Sequence, residues 1–325
     1  MSTSESTDEV PEDGYAGELA EAVVVPETHA PAETHALRGL ALLLCALFFF
    51  ACMDTTAKYL AARYPVPLVM AVRYVVNFAL MFVLFAPRQG RAMFATQRTG
   101  LVMLRGVSLV LASLFVGLAL QRMPVAETTA FIFLGPMLVV LIARPVLGER
   151  IGALGWTAAL AGMAGVMIIA RPGSGLDGLG IVFGLGAALS NATYQLLSRI
   201  LVATERTVAL LFYTALAGTV CFGCSLPWFW GGPAPTPKLV VLFLCLGVFG
   251  GVGHYLFTAA FRHAPASILA PANYLQMLWS GLLGWIVFSH VPDQITIAGM
   301  AIVAGSGVMI AVKTHVAHAR RRRSD

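Results

Sequence analysis

The chain has 325 residues, 58% of them hydrophobic and 11% charged, against roughly 25% charged in an ordinary soluble domain. A water-soluble fold of this length lacks the charge to cover its surface, so composition points to lipid as the solvent. The net charge of +5 is unevenly placed, with nine of sixteen acidic residues between Glu5 and Glu33 and a basic run from Arg320 to Arg323. A positive cytoplasmic tail beside a membrane accounts for that run at least as well as nucleic-acid binding does.

Residues 1–36 are polar and acidic and read as a disordered cytoplasmic tail. They do not form a signal peptide, because there is no basic start and the first apolar run begins only near Arg38. Apolar segments of membrane-spanning length then follow near 38–60, 66–86, 100–120, 124–144, 151–170, 179–201, 207–229, 239–261, 265–288 and 294–312. Short connections such as Arg171-Pro172-Gly173 join them, and 314–325 is a basic tail. With a cytoplasmic N-terminus, fifteen Lys and Arg residues fall inside and five outside. The positive-inside rule therefore places both termini in the cytoplasm.

The two halves align at an offset of 141 residues: Gly39 falls on Gly180, Lys58 on Arg199, Gly106 on Gly247, Ala119 on Ala260 and Pro124 on Pro265. After one extra residue, Gly165-Val166-Met167-Ile168 meets Gly307-Val308-Met309-Ile310. The expected fold is all-α and polytopic, with ten transmembrane helices as two inverted five-helix repeats, 37–173 and 178–313. An odd number of helices per half makes the second half enter from the opposite side, an architecture common in secondary transporters. Duplication kept only for packing is the plainer alternative.

Ionisable groups inside lipid cost about 2.5–3.5 kcal/mol each on insertion scales, so they face a cavity or a partner. Asp54 and Lys58 are one helical turn apart and can pair along one face. Arg73 is deeper and is expected to pair with Asp54 or Glu127, while Lys58 suits snorkelling to the interface. Lys58, Arg73 and Glu127 are the gating or ion-pair candidates; their counterparts in the second half are Arg199, Thr214 and Ile268, and that of Asp54 is Gln195. Polar and aromatic groups cluster in the second half: Asn191, Tyr194 and Gln195, then His254 and Tyr255, then Asn273, Tyr274, Gln276 and Trp279. With Asp54, the residues Asn191, Gln195, His254, Tyr255, Asn273 and Tyr274 form the candidate substrate site, since amides, imidazole and aromatic rings offer hydrogen bonds and stacking faces. Each alone is as readily an interhelical hydrogen bond, worth about 0.6 kcal/mol.

Cys221 and Cys224 form a C-x-x-C without nearby histidines and read as packing residues. Gly180-x-x-x-Gly184 and Gly247-x-x-x-Gly251 suit close helix contact. Pro136 and Pro271 are placed to kink the fourth and ninth helices. No P-loop, H-E-x-x-H or Gly-x-Ser-x-Gly motif is present, so no enzyme, cofactor or metal is expected.

Several stretches carry a family resemblance: MDTTAKYLAARYP at 53–65, RGVSLVLASLFVGLALQRMPVAETTAFIFLGP at 105–136, LGERIG at 147–152, ARPG at 170–173 and AFRHAPASILAPANYLQMLWSGLLGWIVFSHVPD at 260–293. The chain resembles the drug/metabolite transporter superfamily in its ten-helix EamA-type branch. Ala270-Pro271-Ala272-Asn273-Tyr274-Leu275 is similar to a sub-branch of S-adenosylmethionine and riboflavin uptake carriers. Phe-Ser-His at 288–290 departs from the family's Gly-Glu, so a role for that glutamate does not carry over.

The resemblance implies a bacterial inner-membrane carrier with a central cavity between the halves. The expected function is secondary active transport of a small organic metabolite by alternating access, with riboflavin, S-adenosylmethionine or an amino-acid-like solute as candidates. A non-transporting scaffold or sensor that docks through the N-terminal tail is the alternative. The expected partners are a small-molecule substrate and the lipid bilayer, with no nucleic acid; a homodimer is left open.

Overall fold

The computed structural model describes residues 36–135, 137–138, 153–171, 175–201, 204–263, 272–306 and 308–309. Both tails, Pro136, Pro271 and the LGERIG stretch lie outside the described residues. Within them the regular structure is all helical: α1 (Ala36–Ala61), α2 (Val66–Gln89), α3 (Thr99–Arg122), α4 (Val125–Ile132), α5 (Ala153–Ile169), α6 (Gly178–Leu201), α7 (Thr207–Phe229), α8 (Pro237–His263), α9 (Leu275–Phe288) and α10 (Gln294–Ser306). Leu37–Ala61, Val66–Leu84, Thr99–Arg122, Thr207–Phe229 and Pro237–Ala260 are long and apolar enough to cross a membrane. Leu160–Ile169, Leu275–Phe288 and Gln294–Ser306 are shorter apolar helices. Phe82, Val83, Leu160, Met167, Val182 and Leu278 point outward, an apolar exterior suited to acyl chains. The chain is an all-α polytopic membrane protein.

Local chemistry sets the helix starts. Pro124 precedes α4 and Pro237 opens α8, positions where a missing N–H removes no helical hydrogen bond. Asp177 Oδ1 accepts the Gly180 N–H at 2.8 Å, and Asp293 Oδ1 accepts the Thr296 N–H at 2.7 Å, so each caps its helix. The Asp293 carboxyl also takes a 2.6 Å ion pair from Arg171, tying the end of α5 to the start of α10. The Thr296 N–H, aided by Arg171, holds this exposed carboxyl below the usual carboxylate range. Its stabilising contribution is therefore present above that range and fades as pH falls through the lowered value.

One end of the bundle gathers the α1–α2, α3–α4, α5–α6, α7–α8 and α9–α10 turns. Tyr64 donates to the Pro233 carbonyl at 3.0 Å, Arg122 meets Asp177 at 3.5 Å, and Arg171 meets Asp293. Exposed Trp228, Trp230 and Trp285 lie near this end, as at a membrane interface. At the opposite end, Glu205 Oε1 accepts the backbone N–H groups of Gln97 and Arg98 at 2.9 and 2.7 Å. Helix α1 thus finishes where α6 begins, which makes the five-helix halves inverted relative to each other.

Packing repeats that symmetry. The most extensive helix contacts are α1 with α8 and α3 with α6, and exchanging the halves converts one pair into the other. The same exchange relates α2–α8 to α3–α7 and α1–α9 to α4–α6, and leaves α2–α7 and α4–α9 unchanged. Gly106 and Gly247 sit at equivalent crossings. A methyl on Gly106 would lie 3.1 Å from Ala217 Cβ; one on Gly247 would overlap Val76 and come within 3.0 Å of the Arg73 carbonyl oxygen. Gly247→Ala should therefore cost roughly 1–3 kcal/mol by overpacking, read as a lower melting temperature in detergent. Gly223→Ala, inside α7 with no neighbour within 4 Å, should not lower the melting temperature and should raise it slightly through helix propensity.

Candidate functional site

Helices α2, α3, α6, α7 and α8 enclose a narrow central cavity lined by Arg73, Asn77, Tyr194, Thr214 and His254, with a free volume of about 20 Å³, close to one water position. Arg73 and Thr214 correspond under the 141-residue offset, as do Ser113 behind the cavity and His254 on its wall, so both halves contribute equivalent positions.

Arg73 is 8% exposed. Its Nη2 donates to Ser113 Oγ at 2.6 Å, its Nη1 points at the Met53 sulfur at 3.6 Å, and it lies 4.6 Å from the centre of the Tyr74 ring. Ser113 spends its proton on the Leu109 carbonyl at 2.7 Å, so its lone pairs accept from Arg73 and from the Tyr74 hydroxyl, also at 2.7 Å. Arg105, 5% exposed, is bound more completely. It donates to Ser198 Oγ at 2.7 Å, the Leu210 carbonyl at 3.0 Å, Thr214 Oγ1 at 2.8 Å and the Tyr194 hydroxyl at 2.9 Å. Among the described residues neither guanidinium has a carboxylate within ion-pair distance.

Two further polar contacts lie between helices that pack on α4. Gln276 Nε2 donates weakly to buried Asp54 Oδ2 at 3.4 Å. Asn191 and Gln195, one turn apart on α6, face Gly135: a methyl there would lie 3.3 and 3.4 Å from their amide nitrogens. Gly135 corresponds to Gln276 and Gln195 to Asp54, so this arrangement repeats the Asp54–Gln276 contact in the other half. Asn273 Oδ1 and the Tyr274 hydroxyl are buried without a partner among the described residues.

A ladder joins α4 to α9. Glu127, 3% exposed, meets the His290 imidazole at 2.9 Å through Oε1, while its Oε2 has no partner among the described residues. Deeper rungs follow, with Thr129 and Ser280 hydroxyls 3.0 Å apart and the Phe133 and Tyr274 rings 4.9 Å apart. Beside it, Lys58 donates to the Leu120 and Met123 carbonyls at 2.8 and 2.6 Å and lies 5.6 Å from the Phe288 ring centre. It thereby satisfies carbonyls that the end of α3 leaves open.

The sequence expectations are partly redrawn. Arg73 does not pair with Asp54 or Glu127; Ser113 is nearer, and Glu127 is taken by His290. Asp54 and Lys58 do not pair with each other either, since Lys58 is held by the α3 carbonyls. Tyr255 is 48% exposed on the flank of α8, a helical step of about 100° from His254, and lies outside the cavity lining. His254 lines the cavity and packs its ring 4.9 Å from Phe50. The other candidates do not line the cavity: Asp54 meets Gln276, Asn191 and Gln195 face Gly135, Tyr274 packs on Phe133, and the Asn273 Oδ1 is buried. Sequence reasoning misses Arg105 and His290 as partners. Arg105 has a legible signal, being a cation nearly two turns inside an apolar segment, whereas His290 shows only as a departure from a motif.

The family profile of the EamA-like transporter family matches residues 37–171 and 178–312. The chain belongs to this family. This EamA-like protein is 28% identical over 269 residues to the pseudopaline exporter CntI of Pseudomonas aeruginosa, covering 82% of this chain and 93% of that relative. It is 27% identical to a riboflavin transporter of Rhizobium johnstonii, covering 85% of this chain and 92% of the relative. It is 26% identical to an S-adenosylmethionine uptake transporter of Rickettsia felis, covering 89% and 97%. A solved crystal structure that is 19% identical superposes with a TM-score of 0.59 over 82% of this chain and 96% of its own length, which supports the fold. The chain is thus a multi-pass membrane protein of a metabolite-transporter family.

Replacing Arg105 by Ala would leave Thr214, Tyr194 and the Leu210 carbonyl without their shared donor. The loss should be roughly 1.5–3 kcal/mol, the scale of a hydrogen bond to a charged group, read as a lower melting temperature of the purified variant. An unchanged melting temperature would remove Arg105 from the scaffold of the cavity.

Proposed function

We propose that this EamA-like protein is a secondary active carrier of a small organic metabolite, resident in a bacterial cytoplasmic membrane with both termini cytoplasmic. The observation that carries the reading is the narrow polar cavity at the interface of two inverted halves. Inverted repeats supply two nearly equivalent arrangements, one open to each side, around a fixed central site. The polar residues lie where the halves meet, while the exterior is apolar. Solute binds beside Arg73, His254 and Asn77, with Asp54, Asn191, Gln195, Asn273 and Tyr274 as candidates outside the lining. The relatives named for S-adenosylmethionine, riboflavin and pseudopaline support a metabolite-sized solute.

On the positive-inside assignment, the end bearing Lys58, Glu127 and His290 is the outer one. Glu127–His290 and Lys58 with the α3 carbonyls then act as an outer latch, fastening α4 to α9 and α1 to α3. Opening that side requires these contacts to part. A charge-assisted hydrogen bond is worth about 1.5–3 kcal/mol, so losing one should shift the closed–open balance by about tenfold or more.

Two experiments test the reading. Purified protein is screened by thermal shift against S-adenosylmethionine, riboflavin, carnitine and aromatic amino acids, because a ligand of the folded state raises the melting temperature by mass action. A stabilising solute should then enter proteoliposomes, and deleting residues 1–36 should leave its uptake intact; loss of uptake on that deletion would favour the docking-tail alternative. Separately, a cysteine placed at buried Ser280, in a background freed of the native cysteines, reports on the latch. His290→Ala should raise its labelling by an external impermeant thiol reagent about tenfold, and an unchanged rate would exclude the latch.

A further inference from the structure

The carrier reading leaves the solute's chemistry open, and Arg73 narrows it. A guanidinium has five N–H donors in a planar fork. Arg73 uses one on Ser113 and turns another toward the Met53 sulfur, so three have no partner among the described residues. The side chain is more than nine-tenths buried, yet it forms part of the cavity wall. As a lining residue it can offer its remaining donors to a group bound in the cavity.

The cost of this arrangement is high, because one hydroxyl, a sulfur and the face of the Tyr74 ring return only part of the hydration that a buried charge gives up. Arg105 shows that the fold is able to satisfy such a group, since four of its hydrogen bonds go to neutral acceptors on α6 and α7. Arg73 is left short beside it. No carboxylate among the described residues reaches it at contact distance: Asp54 acts on Arg73 only from further off and takes a weak contact from Gln276, and Glu127 meets His290. Two guanidiniums with no carboxylate at ion-pair distance among the described residues, one facing the cavity and one behind its Tyr194–Thr214 wall, make the cavity favour an anion. His254 offers an imidazole N–H in either tautomer on the same wall, and Asn77 adds an amide.

We propose that the transported solute carries a carboxylate and that Arg73 is the residue that receives it. A carboxylate fits the free edge of one guanidinium through two parallel hydrogen bonds, which an ammonium of similar charge does not reproduce. The solute's anion then supplies an ion-pair partner at contact distance, so binding offsets the desolvation of Arg73. This inference rests on the carrier reading for its transport consequence; the binding of a carboxylate does not depend on it.

The test uses full-length protein in proteoliposomes, and the solute need not be identified in advance. Vesicles holding wild type, Arg73→Lys or no protein are incubated with a bacterial metabolite extract, and the contents are identified by mass spectrometry. Lysine keeps the interior charge but lacks the fork, so a matching melting temperature certifies that Arg73→Lys is folded. The expected result is that solutes enriched by wild type carry a carboxylate, that their carboxamide analogues are not taken up, and that Arg73→Lys loses at least tenfold of the uptake. Enrichment of solutes without a carboxylate, or equal uptake by Arg73→Lys, would overturn the inference while leaving the carrier reading standing. If nothing is enriched, the carrier reading fails, and a second measurement decides the binding site alone. In that case, acetate should stabilise wild type over chloride at equal ionic strength and should not stabilise Arg73→Lys; equal response of the two proteins would overturn the site.

Discussion

A guanidinium taken out of water must find acceptors, and the interior of this bundle is organised around two that do so without a carboxylate. Arg105 binds a carbonyl and three hydroxyls and locks α3 to α6 and α7. Arg73 receives one hydroxyl and a sulfur and keeps the rest of its donors toward the cavity. The surrounding polar chain, from Leu109 through Ser113 to Tyr74, supplies those acceptors in a setting where an unmet donor costs more than in water. The two cations therefore differ in how fully the protein satisfies their donors.

The inverted repeat explains how such a site comes to lie at the centre. Equivalent positions of the two halves surround it: Arg73 and Thr214 both line the cavity, as does His254, the counterpart of the Ser113 that holds Arg73. The backbone contacts are nearly the same on both sides, as the Gly106 and Gly247 crossings show, while the side chains differ. Matched packing of this kind is what alternating access requires of its two arrangements. Unmatched side chains make the two ends chemically distinct, with a histidine–glutamate latch and a tethered lysine at the tryptophan-rimmed end.

Much of this is legible in the residues. The length of the apolar runs and the repeat in Gly and Pro specify ten helices and their inversion, because lipid leaves little choice but helix for a spanning segment. Arg73, Glu127 and Lys58 stand out as charges where charges are expensive. Their partners do not, since pairing depends on helix rotation and crossing, which spacing along one helix does not report. Spacing alone matches Arg73 to the nearest acids, whereas Ser113, forty residues away on α3, is its acceptor. Tyr255 shows the same limit: adjacent to His254 in the chain, it turns out to the flank of α8. Nothing in its sequence neighbourhood pairs His290 with an acid, and only the fold reveals that it meets Glu127, a residue 163 positions earlier.

Alternating exposure of one central site to the two sides of the membrane is measured most directly by counterflow. Proteoliposomes are preloaded with a high concentration of unlabelled solute, chosen from those the protein enriches, and diluted into a trace of the labelled form. A carrier of this kind should show a transient accumulation of label above its equilibrium level, present only in preloaded vesicles, because one site returns loaded from either side. Label entry that is indifferent to the preload would contradict alternating access and indicate a pore or a leak.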